Sequence, residues 1–427
     1  MEIMNKNIRR VAVVGYNRIP FARQNTAYTL ASNSDMLVAT LNGLINKYQL
    51  HGELLGEVAG GAVIKSGTEG NLIRESVMNT SLNPATPGCD IQQACATGVE
   101  AAIYIANKIA LGQIDSGIAC GVDSTSNVPL EHGIKLKSTL LAAKRAKSNL
   151  ERLKLFLSLR PKDFKPVTPV NDEPKTGLSM GGHTEYSAKY YGITREAQDA
   201  FALSSHQKLA NAYDEGFIAE MITPFMGLNA DNNLRRDTNM EKLSKLKPAF
   251  DKQNGTLTAG NSTPLSDGAS AVLLASEEWA AKHNLPVLAY ITFAEVAAIE
   301  YVNNKHNLLM APVLAADRML RKANLKLQDF DFYEIHEAFA AQVLATLKIY
   351  ESDKLCKDLG LEKALGTIDL NKLNVKGSSL AAAHPFAATG CRIIATMAKL
   401  LHQKGSGRGF ISVCAARGQG VTMILEK

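Results

Sequence analysis

No uninterrupted apolar run in the sequence approaches the roughly 20 residues that a membrane-spanning helix requires. The opening MEIMNKNIRR is followed at once by the strand-like VAVVGY, without a small-residue cleavage site, so we expect no export signal. The six cysteines form no CxxC pair and show no metal-ligand spacing with histidine. They predict reduced thiols in a cytoplasmic protein, and neither a disulfide framework nor a metal site.

Excess positive charge is confined to one segment. The chain carries a formal charge of +6, and residues 134–166 hold ten Lys and Arg against two Asp and Glu, a local +8 that leaves −2 for the rest. Leu150, Leu153 and Phe156 or Leu157 recur there at helical spacing, which is typical of a basic amphipathic helix on an anionic surface. A solvated helix whose apolar stripe packs on its own domain explains the pattern equally well. The basic run has no interleaved aromatic pattern, so we expect no nucleic-acid partner.

Two stretches of the chain share one plan, in which a loop of small residues leads through a buried helix to an apolar strand. The first begins GCDIQQACATGVEAA at residue 88, and the second begins NVKGSSLAAAHPFAATG at residue 374. This repeated order of loop, helix and strand predicts a layered α/β fold of two similar halves. We assign residues 1–128 with 254–276 to the first half and 277–427 to the second, with an inserted loop domain at 129–253.

Cys95 is the stronger nucleophile candidate in the first stretch. Small residues surround it, and the helical run that follows places it at or just before a helix N-terminus. Unpaired N–H groups there favour a thiolate, which predicts a lowered pKa for the thiol, and they also favour a developing oxyanion. Cys89 stands at the start of a strand, where no such field acts. Two ordinary buried cysteines are the alternative.

A nucleophilic thiol needs a base and charge-stabilising donors, and the second half offers three candidates. His336 lies in FYEIHEAFAAQ, between an apolar strand and a helix. His384 lies in LAAAHPFAATG, a small-residue loop that lets an imidazole protrude. Cys414 ends a strand in ISVCAARGQG, before a glycine turn that allows close approach of a ligand.

These motifs together resemble the thiolases, in the branch of acetyl-CoA acyltransferases related to the β-subunit of the fatty-acid oxidation trifunctional enzyme. The resemblance covers nearly the whole chain. It rests on QQACATGVEAA, GLSMGGHTEYSA, REAQDAFALSSHQK, LTAGNSTPLSDGAS, HEAFAAQ, AHPFAATG and CAARGQG, in the family's order. It implies a duplicated layered fold, with helices between and outside two sheets.

The resemblance also implies a role for each candidate. Cys95 would take the acyl group while His384 draws its proton, and Cys414 would be the second acid or base. His336 would bind the thioester oxygen, and the backbone N–H groups of Cys95 and Ala416 would bind an oxyanion. The implied activity is 3-ketoacyl-CoA thiolysis or its reverse by a ping-pong route.

The same resemblance implies coenzyme A as a substrate, with no permanently bound cofactor and no metal. Met180, Thr263 and Phe339 would line the pantetheine and acyl path, although an aromatic such as Phe339 is more often a core residue. It implies a homodimer or tetramer and admits a hydratase and dehydrogenase α-subunit as a partner. The 134–166 segment is the candidate for that contact or for a peripheral membrane contact.

Two residues depart from the family pattern. Ala383 stands where thiolases usually have glycine, and Arg417 stands in a turn that is usually glycine-rich. Arg417 either favours a thiolate at Cys414 or points to solvent. Two other functions stay open: a decarboxylating ketoacyl synthase, which would use one cysteine and two histidines without Cys414, and a noncatalytic acyl-CoA-binding homologue.

Overall fold

A computed structural model of the protein describes residues 8–67, 69–169 and 172–427, and these residues form 12 strands and 14 α-helices. The strands are β1 (Val11–Arg18), β2 (Ala22–Arg23), β3 (Glu57–Gly60), β4 (Gly88–Asp90), β5 (Ser116–Asp123), β6 (Glu131–His132), β7 (Pro166–Val167), β8 (Ser266–Ala275), β9 (Ala289–Ala298), β10 (Phe332–Ile335), β11 (Arg408–Ala415) and β12 (Gln419–Glu426). The helices are α1 (Asn33–Tyr48), α2 (Leu72–Met78), α3 (Thr97–Ala110), α4 (Ile134–Arg145), α5 (Asn149–Leu157), α6 (Met180–Tyr190), α7 (Arg195–Asp214), α8 (Met240–Ser244), α9 (Glu277–Lys282), α10 (Ala311–Ala323), α11 (Ala340–Tyr350), α12 (Asp353–Asp358), α13 (Ser379–Ala382) and α14 (Thr389–Lys404).

The main sheet repeats one strand order twice. One side runs β1-β8-β5-β3-β4 and the other β9-β12-β11-β10, so each half places its first strand beside its last. The halves meet where β1 pairs antiparallel with β9, at Val11–Ile291, Ala12–Tyr290 and Val13–Ala289. The predicted α/β fold of two similar halves is confirmed, and its two sheets are hydrogen-bonded to each other along this edge. The exact domain limits stay a prediction.

Burial on both faces explains the sequences of the central strands. All ten residues of β8 and all eight of β1 and β5 are buried. Their side chains alternate between two cores because strand side chains point to opposite faces in turn. In β1, for example, Val11 and Val13 join the central core, whereas Ala12 and Val14 join the outer core of the first half.

Helices α3 and α14 lie in the central core and contact each other. Both begin in the same tripeptide, since Ala-Thr-Gly occupies residues 96–98 and 388–390. The two glycines make the close approach possible: a Cβ on Gly98 would lie 2.8 Å from the Ala387 carbonyl oxygen, and one on Gly390 would lie 2.4 Å from the Val99 nitrogen. This contact brings the residues before the two helices, one set from each half, to the same place.

The inserted segment contains two short basic helices, α4 and α5, where a single amphipathic helix was predicted. They pack on each other, and no residue of α5 is buried. Leu150, Leu153 and Leu157 are 63%, 55% and 74% exposed. The stripe therefore does not pack on the chain's own core. In the described part of the chain, no helix is both long and apolar enough to cross a membrane.

Candidate active site

The nucleophile candidate lies in a tight turn at the start of α3. Ala94 has a φ of 47°, a left-handed conformation that is uncommon for a residue with a side chain. The Thr97 hydroxyl holds the turn by donating to the Ala94 carbonyl oxygen (2.7 Å) and accepting from the Gln93 N–H (2.9 Å). Cys95 immediately precedes Ala96, the N-cap of α3, as predicted. Cys89 lies in β4, also as predicted.

The surroundings of Cys95 correct one expectation. The sequence predicts a lowered thiol pKa, whereas burial raises the pKa of Cys95 to about 12. The N–H groups of Ala416 and of Cys95 itself oppose this rise, and the Asp123 and Glu173 carboxylates add to it. Desolvation exceeds the effect of the helix N-terminus because neighbouring residues, among them Ala416 of the second half, leave Cys95 only partly exposed. The resting group is a neutral thiol that needs a base.

Two imidazoles lie side by side on elements of the second half. His336 follows β10 directly, and His384 lies between α13 and α14; their ring centroids are 4.2 Å apart. His336 Nδ1 lies 3.0 Å from Ser379 Oγ, and His384 Nδ1 lies 2.6 Å from Thr389 Oγ1. The Nε2 atoms of both rings are buried without a hydrogen-bond partner. Each ring is thus fixed through one nitrogen and leaves the other available.

Both imidazoles are neutral at ordinary pH. Burial lowers the pKa of His384 to about 3, and the Arg392 cation adds to this effect. Burial, His384 and Arg392 lower the pKa of His336 well below its ordinary value. A neutral imidazole carries one N–H and one lone pair, so it acts as a hydrogen-bond donor or as a base.

Cys414 lies within electrostatic range of Cys95, although 319 positions separate them in the sequence. It is 2% exposed near the end of β11. Burial raises the pKa of the Cys414 thiol, and the neighbouring Cys95 thiol raises it further. All six cysteines are free thiols. The structure therefore brings one thiol from each half within electrostatic range of the other, and the convergence of both thiols with both imidazoles stays a prediction.

Asp123, at the end of β5, is hydrogen-bonded to backbone N–H groups of both halves. Its carboxylate accepts the N–H groups of Val63, Ile64 and Ala387, at 2.8 to 2.9 Å. Ala387 belongs to the loop that carries His384. Burial raises the pKa of Asp123 to about 7, while these N–H groups oppose the rise. The carboxylate fixes the His384 loop against the first half.

Arg417 is 52% exposed but paired with a carboxylate, and a role in favouring a thiolate at Cys414 stays a prediction. Its φ is 67°, which explains why this turn favours glycine. Its guanidinium lies 2.9 Å from the buried Glu173 carboxylate, and its N–H donates to the same group at 3.0 Å. The Tyr301 hydroxyl donates to Glu173 at 2.8 Å. Arg417 therefore joins the turn after Cys414 to the inserted segment.

The three residues predicted to line the substrate path lie on different elements. Met180 begins α6 and is half-buried. Thr263 donates its N–H and its hydroxyl to the Ala338 carbonyl oxygen, both at 3.1 Å. Phe339 is 7% exposed and packs edge-on against Phe250, at 5.9 Å between ring centroids. Phe339 therefore lies in the core, the alternative that the sequence analysis left open for it.

Sequence reasoning missed the residues that hold the imidazoles: Ser379, Thr389 and Arg392. A signal for Thr389 was present in the repeated Ala-Thr-Gly tripeptide, because a threonine at the same place in the first copy holds the Cys95 turn. Ser379 and Arg392 have no such signal in the sequence, since the contact of Ser379 with His336 and that of Arg392 with Ser379 arise only when α13 and α14 fold against β10.

Two family models together match almost the whole chain. The model for the thiolase N-terminal domain matches residues 11–278, and the model for the thiolase C-terminal domain matches residues 285–427. The boundary between them falls between β8 and β9, where the first half of the sheet gives way to the second.

Curated relatives and solved structures agree with these matches. The chain is 41% identical to a 3-ketoacyl-CoA thiolase of Aliivibrio fischeri strain MJ11, over 98% of this chain and 95% of that protein. It is 42% identical to a 3-ketoacyl-CoA thiolase of Photobacterium profundum, over 98% and 97%. Bacillus anthracis acetyl-CoA acetyltransferase superposes with a TM-score of 0.82 at 28% identity, over 98% and 99%. Human mitochondrial 3-ketoacyl-CoA thiolase gives 0.80 at 27%, with the same coverage. The chain belongs to the thiolase family of acyltransferases.

Proposed function

We propose that this protein cleaves 3-ketoacyl-CoA with coenzyme A to give acetyl-CoA and a shortened acyl-CoA, or catalyses the reverse Claisen condensation, through an acyl group on Cys95. Two observations carry the proposal: the half-buried Cys95 thiol lies within electrostatic range of the buried Cys414 thiol, and two neutral imidazoles lie 4.2 Å apart. The loop that carries His384 packs against the start of the helix that follows Cys95. Carbon–carbon cleavage leaves a carbanion, which needs a delocalised thioester, a hydrogen-bond donor and a proton source. The relatives named 3-ketoacyl-CoA thiolase support the same substrate.

In the first half-reaction, Cys95 sulfur attacks the C3 carbonyl while His384 takes the thiol proton. The C2–C3 bond breaks, and its electron pair forms the enolate of acetyl-CoA. His336 holds the enolate oxygen, and Cys414 delivers a proton to C2. The acyl oxygen left on Cys95 faces the N–H groups of Cys95 and Ala416.

In the second half-reaction, the sulfur of a new coenzyme A attacks the acyl group on Cys95. The coenzyme A thiol proton passes to the Cys414 thiolate. The Cys95 thiolate leaves and recovers its proton from His384. Both cysteines and both histidines return to their starting states, so coenzyme A is the substrate and no resident cofactor enters. Met180 and Thr263 are proposed to line the path of coenzyme A.

The test is thiolysis of acetoacetyl-CoA by free coenzyme A, followed by the loss of absorbance of the ketoacyl thioester. We expect Cys95→Ser to lower kcat by at least about 10³-fold because the acyl carrier is lost. The matched control, Cys89→Ser, changes a thiol that has no role in the reaction and should keep the wild-type rate. Activity that needs malonyl groups would favour the synthase, and no turnover by the wild type would favour a noncatalytic homologue. Full turnover by Cys95→Ser would place the reaction at a different group.

The exposed face of α4 and α5 is proposed to contact an anionic lipid surface. Basic side chains on this segment alternate with the leucines at 150, 153 and 157, which are more than half exposed. Such a face binds anionic lipid in two ways, because its apolar side chains insert into the lipid and its basic side chains are attracted to the negative headgroups. In a flotation assay, Leu153→Asp with Leu157→Asp should abolish binding to vesicles containing phosphatidylserine. Leu111→Asp with Leu370→Asp, at leucines exposed elsewhere, is the control. Equal vesicle binding by the two variants would refute the lipid contact. The hydratase and dehydrogenase α-subunit would then be the partner to test on this face.

The assembly and location are proposed on the family resemblance. We propose a homodimer or tetramer, which light scattering of the purified protein measures directly. The free cysteines support a cytoplasmic setting.

A further inference from the structure

A buried arginine lies behind the two imidazoles. Arg392, on α14, is 4% exposed, and its Nη2 donates to Ser378 Oγ at 3.0 Å and to Ser379 Oγ at 2.9 Å. Ser379 Oγ is in turn 3.0 Å from His336 Nδ1. A continuous line of hydrogen bonds therefore runs from the cation through one hydroxyl to the ring.

The direction of these hydrogen bonds follows from what each group can do. A guanidinium only donates, so Ser379 Oγ accepts from Arg392. Ser379 is fully buried, and His336 Nδ1 is the other hydrogen-bond partner that the structure gives its hydroxyl. If Nδ1 carried a proton, the oxygen would receive two donors and its own hydrogen would lack an acceptor, which is costly in a buried site. The hydroxyl therefore donates to Nδ1, and the ring proton is on Nε2.

The second ring has a hydroxyl partner of its own. His384 Nδ1 lies 2.6 Å from Thr389 Oγ1, and among the described residues the Arg392 guanidinium is hydrogen-bonded to Ser378 and Ser379 and not to Thr389. The hydrogen bonds from the cation therefore fix the tautomer of His336, whereas those of His384 involve no charged group.

We propose that Arg392 and Ser379 are positioning residues that fix His336 as the Nε2–H tautomer, which makes Nε2 of His336 the donor to the thioester oxygen. The inference rests on the proposed function. It explains why the buried Nε2 of His336 has no partner within the described residues.

The other charged groups near Arg392 agree with this assignment. Glu334 and Glu337 both lie within electrostatic range of the guanidinium, and Glu337 already accepts from Ser205, Asn374 and the Leu380 N–H. Burial raises the pKa of both carboxyls, to about 8 for Glu334. Neither carboxylate is hydrogen-bonded to His336, so the Ser379 hydroxyl is the group that sets its tautomer.

The direct test is nitrogen NMR of the full-length wild-type protein with ¹⁵N-labelled histidine. Pyrrole-type and pyridine-type nitrogens have well separated shifts, and the His336→Asn spectrum assigns the signals. We expect a pyridine-type Nδ1 and a pyrrole-type Nε2 for His336. A proton on Nδ1 of His336 would overturn the proposal. This measurement needs no turnover, so it stays decisive even if the proposed reaction fails.

The matched variants are Ser379→Ala and Ser378→Ala. Both remove one acceptor from Arg392, but only the first removes the hydroxyl that contacts His336. We expect Ser379→Ala to lower kcat by about 10- to 100-fold, with KM for coenzyme A changed by less than about threefold. Ser378→Ala should keep kcat within about threefold, and Ser379→Thr should recover most of the loss. Equal losses in the two alanine variants would reduce Ser379 to a structural residue and overturn the proposal.

Discussion

The two Ala-Thr-Gly turns, at 96–98 and 388–390, are copies of one element used in different ways. Each opens a central helix, and each follows a residue with a positive φ: Ala94 at 47° and Ala383 at 81°. In the first copy, the Thr97 hydroxyl bonds only to backbone and holds the turn that presents Cys95. In the second copy, the Thr389 hydroxyl bonds to the His384 ring.

The difference reflects what each reactive group needs. A thiol has one rotatable bond and no second polar atom, so the turn itself must aim it. An imidazole has two nitrogens, and its function depends on which one carries the proton. The first threonine therefore stabilises backbone geometry, and the second orients a side chain.

The largest expected effect separates the base from the second thiol. His384→Asn should lower thiolysis by about 10³-fold, and it should equally slow exchange of the acetyl group between acetyl-CoA and labelled coenzyme A, because both need a proton removed from Cys95. Cys414→Ala should slow thiolysis to a similar degree but retain acetyl exchange, which forms no carbanion and in which the departing coenzyme A thiolate recovers its proton from His384 rather than from Cys414. Loss of exchange in Cys414→Ala would contradict the division of roles.

Valine substitutions at the two threonines test the comparison itself. Thr389→Val should lower kcat by about 10- to 100-fold because the ring loses its orienting partner, while the melting temperature changes little. Thr97→Val should lower the free energy of unfolding by about 1 kcal/mol, since the part-buried Gln93 N–H loses its acceptor and the Ala94 carbonyl keeps only the Thr97 N–H as donor. Rate measurement and thermal unfolding of both variants check this. Identical profiles for the two would show that the copies have one role.

Acidification should reveal the buried imidazole of the second turn. The folded pKa of His384, about 3, is below that of a free histidine, so the unfolded chain binds the extra proton first. The stability contributed by the neutral ring is complete above about pH 6.5 and is lost as the pH falls towards the folded pKa. Between pH 7 and pH 5, wild type should lose about 2 kcal/mol more than His384→Asn in urea unfolding. The exposed His402, replaced in the same way, is the control; equal slopes for wild type and His384→Asn would contradict the assignment.

The smallest expected effect concerns Ala383, the residue before His384. Ala383 has φ 81° and ψ 175°, a region that favours glycine, and its methyl group packs near Phe21 and Ala388. Ala383→Gly should raise the free energy of unfolding by about 1 kcal/mol, because the relieved strain exceeds the lost contact and the entropy of glycine. Ala382→Gly, in the adjacent helix, should lower it by about 1 kcal/mol. A loss of stability in Ala383→Gly would show that the methyl contact dominates.

Local sequence predicted the features that depend on a few neighbouring residues. Small residues around Cys95 and His384, and the strand end at Cys414, indicated where each group would be exposed to a ligand. The repeated strand and helix pattern predicted the duplicated α/β fold. These features depend on secondary-structure propensity and on turn-forming residues, both of which are determined by consecutive residues.

Features set by packing between the halves were not predictable. The raised pKa of Cys95 depends on how completely the second half covers it. The Arg417 contact depends on where the inserted segment places Glu173. The hydroxyl partners of the imidazoles depend on the crossing of α3 and α14 and on the fit of α13. Each of these is a contact between residues far apart in the chain.

The most direct test of the account is to map the acyl group after brief exposure of the protein to acetyl-CoA and rapid acid quench. Peptide mass spectrometry should find one acetyl group on Cys95, with Cys414 and Cys89 unmodified, and His384→Asn should remove the label. An acetyl group on Cys414, or no label under conditions of full turnover, would contradict the assignment of Cys95 as the nucleophile.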